Sequence, residues 1–545
     1  MGRVTNESLE FAKKHLKRYY ISDFFPDPIE LEAVWSQWEF VKARLLMIDI
    51  TEGYETHALT ALPWRKHRGG YRIVHQLEAT DCLIYVALAY LAANRIEQSR
   101  KPIESGIACA YRIQIDEGSY FSRGNGFETY RDRSKALAGQ YQFVLLSDIV
   151  DFYNQIYLHR LQNSIASAAN ASAELATDIE RFLSKLNQRN SQGVPVGPAP
   201  SIVFSEATLT DVDNFLEDLG VEHTRYVDDF RIYGDNVQHL EKIQRELTLY
   251  LHKVHRLTLS SEKTRILATE SFVATELENH YELEKAELFS SFESGGDYVP
   301  AIGETLEAAI EDKNATDDDY AQVPASVADK ALEFALHKAK VIEAFTGLCD
   351  RSNLDLGLAR VLLRQGRFLK LPELVDLCFD HFELLRPVLN SVAFYLADVT
   401  EKYGKDAMGA KLETWVINTS QLSDLERIWI EWAILKQNLF EISPALKQFI
   451  NKSQNISSQA QMAFKERNVA WVRKYKDEVF ALSPQSLRAV IYASRVLPDD
   501  ERKPWLKQLK RSLTGIVDIA LVDWAINYVD VKNSFDDLFD DGMPF

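Results

Sequence analysis

Two aspartates stand side by side at Asp228-Asp229, within Arg225-Tyr226-Val227-Asp228-Asp229-Phe230-Arg231-Ile232. Adjacent acidic residues recur at Asp317-Asp318-Asp319, Asp499-Asp500, Asp536-Asp537 and Asp540-Asp541, and a lone pair of this kind is most often solvated surface or a helix cap. The flanks set this pair apart. Two short runs of β-formers, Thr224 to Val227 and Phe230 to Tyr233, predict a hairpin whose turn carries both carboxylates. Carboxylates held there repel each other and lose hydration, a cost that a divalent cation offsets. A third carboxylate, Asp148, ends the apolar run Gln142-Phe143-Val144-Leu145-Leu146-Ser147, and pairing of that strand with the hairpin would gather all three. Hard cations such as Mg²⁺ prefer oxygen ligands and usually bring substrate phosphates with them. Two such ions on three aspartates can activate a hydroxyl for in-line attack on a nucleotide's α-phosphate and stabilise the leaving pyrophosphate.

The elements that must position these residues are legible as a mixed pattern. Residues 1 to about 140 combine helical periodicity with short β-rich pieces, among them Tyr71-Arg72-Ile73-Val74 and Tyr111-Arg112-Ile113-Gln114-Ile115. The apolar run Cys82 to Ala93 reads as a buried helix and falls short of the ~20 residues that span a bilayer. An amphipathic helix is expected from Asp151 to Leu161, and a longer one from Ser201 to Leu219, stopped by Gly220. Between them, Gln192-Gly193-Val194-Pro195-Val196-Gly197-Pro198 cannot form regular structure. Beyond Val323 the pattern is helical, with Val388, Val392, Tyr395, Leu396 and Val399 on one stripe, and breaks near Gly366, Pro387, Gly404, Pro444, Pro484 and Pro498 suggest stacked helical hairpins.

Four blocks in order within residues 148 to 264 resemble those of the reverse transcriptases. Ser147-Asp148-Ile149-Val150-Asp151-Phe152-Tyr153 is similar to their first catalytic block, Gln192 to Pro198 to the QGxPxGP loop, and Tyr226-Val227-Asp228-Asp229 to the YxDD hairpin. Leu257 to Thr264 is similar to the block that follows, usually ending in Lys-Thr. Tyr71-Arg72-Ile73 with Asp81, and Tyr111-Arg112, resemble the weaker fingers blocks, so the resemblance covers roughly residues 60 to 285.

The resemblance implies that Asp148, Asp228 and Asp229 hold two Mg²⁺ ions, with Mn²⁺ as a substitute and the Ile149 carbonyl as a further ligand. Tyr153 falls where an aromatic side chain blocks a ribose 2′-hydroxyl and favours dNTPs, with simple packing as the alternative. Gln192 and Gly193 would lie against the incoming nucleotide. Arg72 and Arg112 match the fingers cations that bind the triphosphate, although either alone is more often an ordinary surface or ion-paired arginine. Lys263 is either a general acid toward pyrophosphate or a structural cation.

The expected architecture is an α+β right-hand polymerase of reverse transcriptase type (fingers, palm and short thumb, 1–285), an acidic connector (286–322), an all-α helical-repeat domain (323–530) and an acidic tail (531–545). Nothing after residue 285 has the β-rich carboxylate set of an RNase H domain or the Cys/His clusters of an intron-type endonuclease. A palm followed by a helical half resembles the bacterial abortive-infection and defence-associated reverse transcriptases, whose C-terminal half is HEAT-like. That resemblance implies antiphage defence in the bacterial cytoplasm, DNA synthesis without a template, priming from a protein hydroxyl that leaves DNA covalently attached, and homo-oligomers. The priming residue is unassigned among 23 tyrosines. An RNA-templated, retron-like enzyme with a partner noncoding RNA, and a catalytically silent scaffold or phage sensor, are the alternatives.

Composition constrains partners. The 545 residues carry 62 Lys+Arg and 80 Asp+Glu, a net charge of −18, and residues 201–350 supply the whole excess. A uniformly basic nucleic-acid coat is therefore excluded, while local basic grooves remain open in the charge-balanced flanks. One candidate groups Lys465, Arg467, Arg473, Lys474 and Lys476 around Trp471 and Tyr475, and another groups Arg502, Lys503, Lys507, Lys510 and Arg511 around Trp505; charge with aromatic faces suits single-stranded nucleic acid. The four cysteines form no CxxC pair, which argues against a zinc site or disulfide framework. The polar N-terminus lacks the apolar stretch of a secretory signal, and no membrane segment is visible.

Overall fold

The computed structural model describes residues 4–278 and 325–529, apart from 20, 51, 67–68, 123–125, 169–172, 352–353, 419–420 and 437–441. The expected acidic connector and acidic tail lie outside the described residues. The described residues form two compact units: those within 1–62, 73–270 and 447–529 form one, and those within 63–72 and 271–446 form the other.

At the centre of the first unit is a four-stranded antiparallel sheet in the order β6-β7-β5-β8, made of β5 (Phe143–Asp148), β6 (Glu222–Tyr226), β7 (Asp229–Gly234) and β8 (Arg265–Ala268). Two smaller hairpins precede it, β1 (Thr60–Arg65) with β2 (Tyr71–Gln76) and β3 (Ile113–Asp116) with β4 (Ser119–Phe121). The apolar run seen in the sequence lies in the helix Ala79–Ser99, started by Glu78, whose carboxylate accepts from the Thr80 and Asp81 amides. Residues Cys82 to Ala89 of that helix are buried without interruption, because other elements cover it on every side. The helix Pro200–Asp218 packs against it, with Val203, Phe204, Leu209 and Val212 fully buried.

Two sequence expectations are corrected. The single helix foreseen from Asp151 to Leu161 is two, Phe152–Gln155 and Leu158–Ser167. Between them Ile156 turns to ψ 120°, and the Leu158 amide bonds the Ser191 carbonyl instead of continuing the helix. The helical region 323–530 is also not one unit. Its last helices, from Ile456–Lys465 to Ile516–Ile526, belong with the N-terminal residues: Val517 and Ala520 join the same apolar core as Val34 and Val41, while Leu521, Val522 and Ala525 pack with Ala33. Arg488, buried in the helix Pro484–Ala493, reinforces that packing through Glu30, Glu78 and Asp518 at 3.3, 2.6 and 2.6 Å. Both Glu30 and Glu78 lie far away in sequence, so neither periodicity nor composition signals this docking.

The described part of the second unit is mostly helical. Leu356–Phe368, Leu389–Tyr403 and Asp424–Lys436 stack in succession, and the stripe Val388, Val392, Tyr395, Leu396 and Val399 is buried as expected. Phe394, Trp429 and Trp432 meet edge to face with centroids 4.9–5.5 Å apart, a favoured aromatic geometry. This unit also takes in residues 63–72 of the first hairpin, where the Trp64 indole donates to the Pro387 carbonyl at 3.1 Å and Arg65 lies 3.7 Å from Glu383.

Candidate active site

The hairpin and strand deliver the three aspartates to one end of the sheet. Pairing of β5 with β7 sets Asp148 directly opposite Asp229, and pairing of β6 with β7 sets Tyr226 opposite Asp229, which leaves Val227 and Asp228 as a two-residue turn. Val227 has φ 54°, the left-handed value that two-residue hairpins require and that glycine usually supplies. For a β-branched residue that conformation costs about 1–3 kcal/mol and persists only where the surroundings enforce it. The Ile149 amide bonds the Asp228 carbonyl at 3.3 Å, tying the segment after β5 to the turn.

The site is electrostatically unbalanced. Asp229 is pushed up to about 7, first by lost hydration and then by the Asp228 and Asp148 charges. One cation answers them directly: Lys263 donates from Nζ to Asp148 Oδ1 at 2.6 Å. Its block reaches the site because the Ser260 amide bonds the Asp148 carbonyl at 2.8 Å and the Val150 amide bonds the Thr258 carbonyl at 2.9 Å. Partial burial works against the Lys263 charge, but the three carboxylates outweigh it and hold its pKa above the ordinary lysine value. An all-oxygen donor set with surplus negative charge suits a hard divalent cation. A tighter cluster lies elsewhere, where His57, Glu78 and Asp81 bring ligand atoms within 4.8 Å. There the oxygens are already committed, to the Tyr54 hydroxyl, the His57, Thr80 and Asp81 amides and the Arg488 guanidinium, so the cluster is accounted for as a helix cap.

The remaining expected residues divide. Tyr153 is half-buried within electrostatic reach of Asp228, its phenol bonded to Ser205 and kept protonated by burial. The Gln192–Pro198 loop is fixed to the same segment: the Gly193 amide bonds the Ile156 carbonyl at 2.8 Å, the Val194 amide bonds the Tyr153 carbonyl at 2.9 Å, and Gln192 Nε2 donates to Gln155. Gly193 has φ 96°, and a Cβ there would meet the Asn154 carbonyl at 3.2 Å, so glycine is required by the chain itself. Arg112 is not presented to the site. It pairs with Glu97 and donates to the Lys101 and Ala108 carbonyls at 2.9 and 3.0 Å, which overrides the reading of it as a phosphate ligand. Arg72 is exposed and belongs to the second unit.

In the basic group, Lys465, Arg467, Arg473 and Lys474 are exposed, but Arg473 and Lys476 both bind Glu501, at 2.6 and 2.8 Å. That pairing holds Glu501 down at about 2 and neutralises part of the expected patch. In the second group Arg502 is buried, Lys503 pairs with Asp499 and Lys510 with Asp523.

Sequence reasoning missed the residues behind the hairpin. Arg225 on β6 is fully buried between Asp213 and Glu206, both on the helix Pro200–Asp218. The available signal was two carboxylates seven residues apart, Glu206 and Asp213, on the same face of a helix as the apolar residues Val203, Leu209 and Val212, together with an arginine in a strand.

Residues 65–284 match the family described as reverse transcriptase (RNA-dependent DNA polymerase). The fold and this match define a reverse transcriptase domain, and thus a nucleotidyltransferase that is a DNA polymerase of the RNA-directed type. Such domains use dNTPs and generally divalent metals. Comparison with curated proteins gives no match. Among solved structures, telomerase from Candida albicans in complex with a fragment of telomeric RNA aligns at 11% identity over 75% of this chain and 71% of that one, TM-score 0.31. Apo telomerase from Candida tropicalis aligns at 13% identity over 81% and 73%, TM-score 0.31. No helix among the described residues is long and apolar enough to cross a membrane.

Proposed function

We propose that this protein adds dNMPs to a hydroxyl primer at Asp148, Asp228 and Asp229. The observation that carries the reading is the β5–β7 register, which sets Asp148 opposite Asp229 at the foot of the turn that bears Asp228. The three carboxylates and the Ile149 carbonyl would hold two Mg²⁺, which when bound supply charge neutralisation at the attacking and leaving oxygens. Tyr153, near Asp228, selects against a 2′-hydroxyl, while Gln192 and Gly193 form the floor under the nucleotide. Lys263, protonated and at the edge of the carboxylates, is placed to give a proton to pyrophosphate.

Synthesis is read as template-independent and protein-primed, in homo-oligomers that act in antiphage defence from the bacterial cytoplasm, with the helical second unit as a HEAT-like stack. What supports this is the order of parts along the chain, a palm followed by stacked helices. The test incubates the purified protein with Mg²⁺ and labelled dNTPs, with and without added RNA template. Labelled DNA that forms without template and stays with the protein under denaturation, absent in Asp228→Ala, is the expected result. Strict dependence on a copurifying RNA would replace it with an RNA-templated enzyme, and no incorporation under any condition would leave a scaffold.

A further inference from the structure

Among the residues beside the site that hold a backbone conformation L side chains avoid are Val227 at φ 54° in the turn and Tyr111 at φ 45°. Each of these two has its carbonyl held by a buried arginine. Arg225 Nη1 donates to the Val227 carbonyl at 2.9 Å, and Arg100 Nη1 donates to the Tyr111 carbonyl at 3.1 Å. The two guanidinium groups meet on one carboxylate: Glu206 Oε2 lies 3.1 Å from Arg225 Nη2 and 2.8 Å from Arg100 Nη2, with all three side chains fully buried. Asp213 locks the orientation of Arg225 through a two-point contact, to Nε at 2.9 Å and Nη2 at 2.7 Å. These carboxylates hold the Arg225 charge firmly, despite its burial.

The two strained residues converge on the site. The Tyr111 phenol bonds that of Tyr226, and Tyr226 pairs with Asp229 across the hairpin. Arg225 therefore fixes the turn from behind Asp228, while Arg100 fixes the loop that buttresses Asp229 through Tyr226. A buried ion network of this kind carries a desolvation cost that apolar packing would avoid. What it adds is direction, because a guanidinium held at two points aims its remaining N–H rigidly.

We infer that Glu206, Arg225 and Arg100 form a clamp that sets the spacing of Asp228 and Asp229 for a divalent cation by holding Val227 and Tyr111 in their left-handed conformations. The three are positioning residues. The inference rests on the reading that Asp228 and Asp229 hold the metal, and it predicts that damage to the clamp is repaired where the strain is removed.

The test titrates Mn²⁺ against the full chain, followed by the loss of free-ion EPR signal, in wild type, Arg225→Lys, Val227→Gly and the double variant. Arg225→Lys keeps the charge but cannot reach Asp213, Glu206 and the Val227 carbonyl together. Affinity is expected to fall on the order of tenfold or more, as when groups supporting metal ligands are removed elsewhere. The added Val227→Gly supplies a residue that adopts the turn without strain and recovers most of that loss. A role confined to folding would lower the melting temperature and give no such recovery. Glu206→Gln, which leaves the Arg225–Asp213 pair in place, is read with the same suppressor if Arg225→Lys lacks a cooperative unfolding transition. Unchanged Mn²⁺ binding in the folded variant, or no recovery in the double variant, overturns the clamp. Wild-type protein without Asp228-dependent Mn²⁺ binding overturns the metal reading itself, before any clamp variant is compared.

Discussion

Lys263 Nζ sits 2.6 Å from Asp148 Oδ1, so in the protein alone an ammonium group occupies the edge of the carboxylate cluster. The lysine side chain is 63% exposed and the aspartate 11%, which makes this a screened contact that can be exchanged.

Lys263→Gln is expected to lower metal-free stability by about 1 kcal/mol or less, because the pair is partly solvated. The stabilisation gained on adding Mg²⁺ should rise in the variant, since no ammonium then competes for Asp148. Thermal melts in EDTA and in excess Mg²⁺ measure both; an equal Mg²⁺ gain in variant and wild type would show that Lys263 and the metal do not share the site.

Asp229→Asn addresses the same imbalance from the other side. Lost hydration, and after it the Asp228 and Asp148 charges, pushes the Asp229 carboxyl up to about 7, so its charged form is unfavourable in the metal-free protein. The amide removes that repulsion, and metal-free stability should increase by about 1 kcal/mol after allowance for the solvent exposure of this side chain. Incorporation of dNMPs should be lost at the same time. A variant that melts lower than wild type in EDTA would mean that the carboxylate is needed for the fold and not only for the metal.

Arg488 makes the C-terminal helices part of the first unit, and the consequence is experimental. A chain ended at Leu446 removes Val517, Ala520 and the rest of that layer from the core, and strands Glu30 and Glu78 without their shared guanidinium. It should fail to fold, as should residues 1–285 alone. The point variant Arg488→Met isolates the charge component, with an expected loss of about 3–5 kcal/mol from breaking a buried network on one side. Urea unfolding followed by fluorescence reads it; a loss under about 1 kcal/mol would show that apolar packing alone holds the layer.

The contrast between Asp228 and Arg488 shows where sequence reading works. Asp148, Asp228 and Asp229 were legible because strand alternation and a two-residue turn are local, and register then follows from which faces are apolar. The stripe from Val388 to Val399 was legible for the same reason. Arg488 and Arg225 were not, since a buried cation is explained only by carboxylates brought from distant segments, and nothing in the spacing names them. Arg112 shows the converse: its place in a fingers-like block suggested phosphate, and Glu97, fifteen residues earlier on the preceding helix, claims it instead. The break at Ile156 was hidden too, because it is made by a strand-like contact of Tyr157 with Gln192 and not by a proline or glycine.

His15 gives the first unit a pH dependence of its own. It is buried on the helix Asn6–Arg18 among Phe11, Tyr19 and Tyr120, and its Nδ1–H donates to the Gly118 carbonyl at 2.7 Å. Burial pulls its pKa down to about 4, against the hydrogen bond to Gly118, which works the other way. The folded protein therefore keeps His15 neutral over a range in which the unfolded chain, with a pKa near 6.5, takes up a proton. Stability from this group is fully present above about pH 6.5 and is lost progressively as pH falls toward 4, by roughly 3 kcal/mol in all. His15→Gln retains a donor for Gly118 without a titrating ring, so the difference in urea midpoint between variant and wild type should shift in favour of the variant between pH 7.5 and pH 5. An unchanged difference across that interval would mean that His15 is protonated within the fold, with its ring reorganised around Gly118.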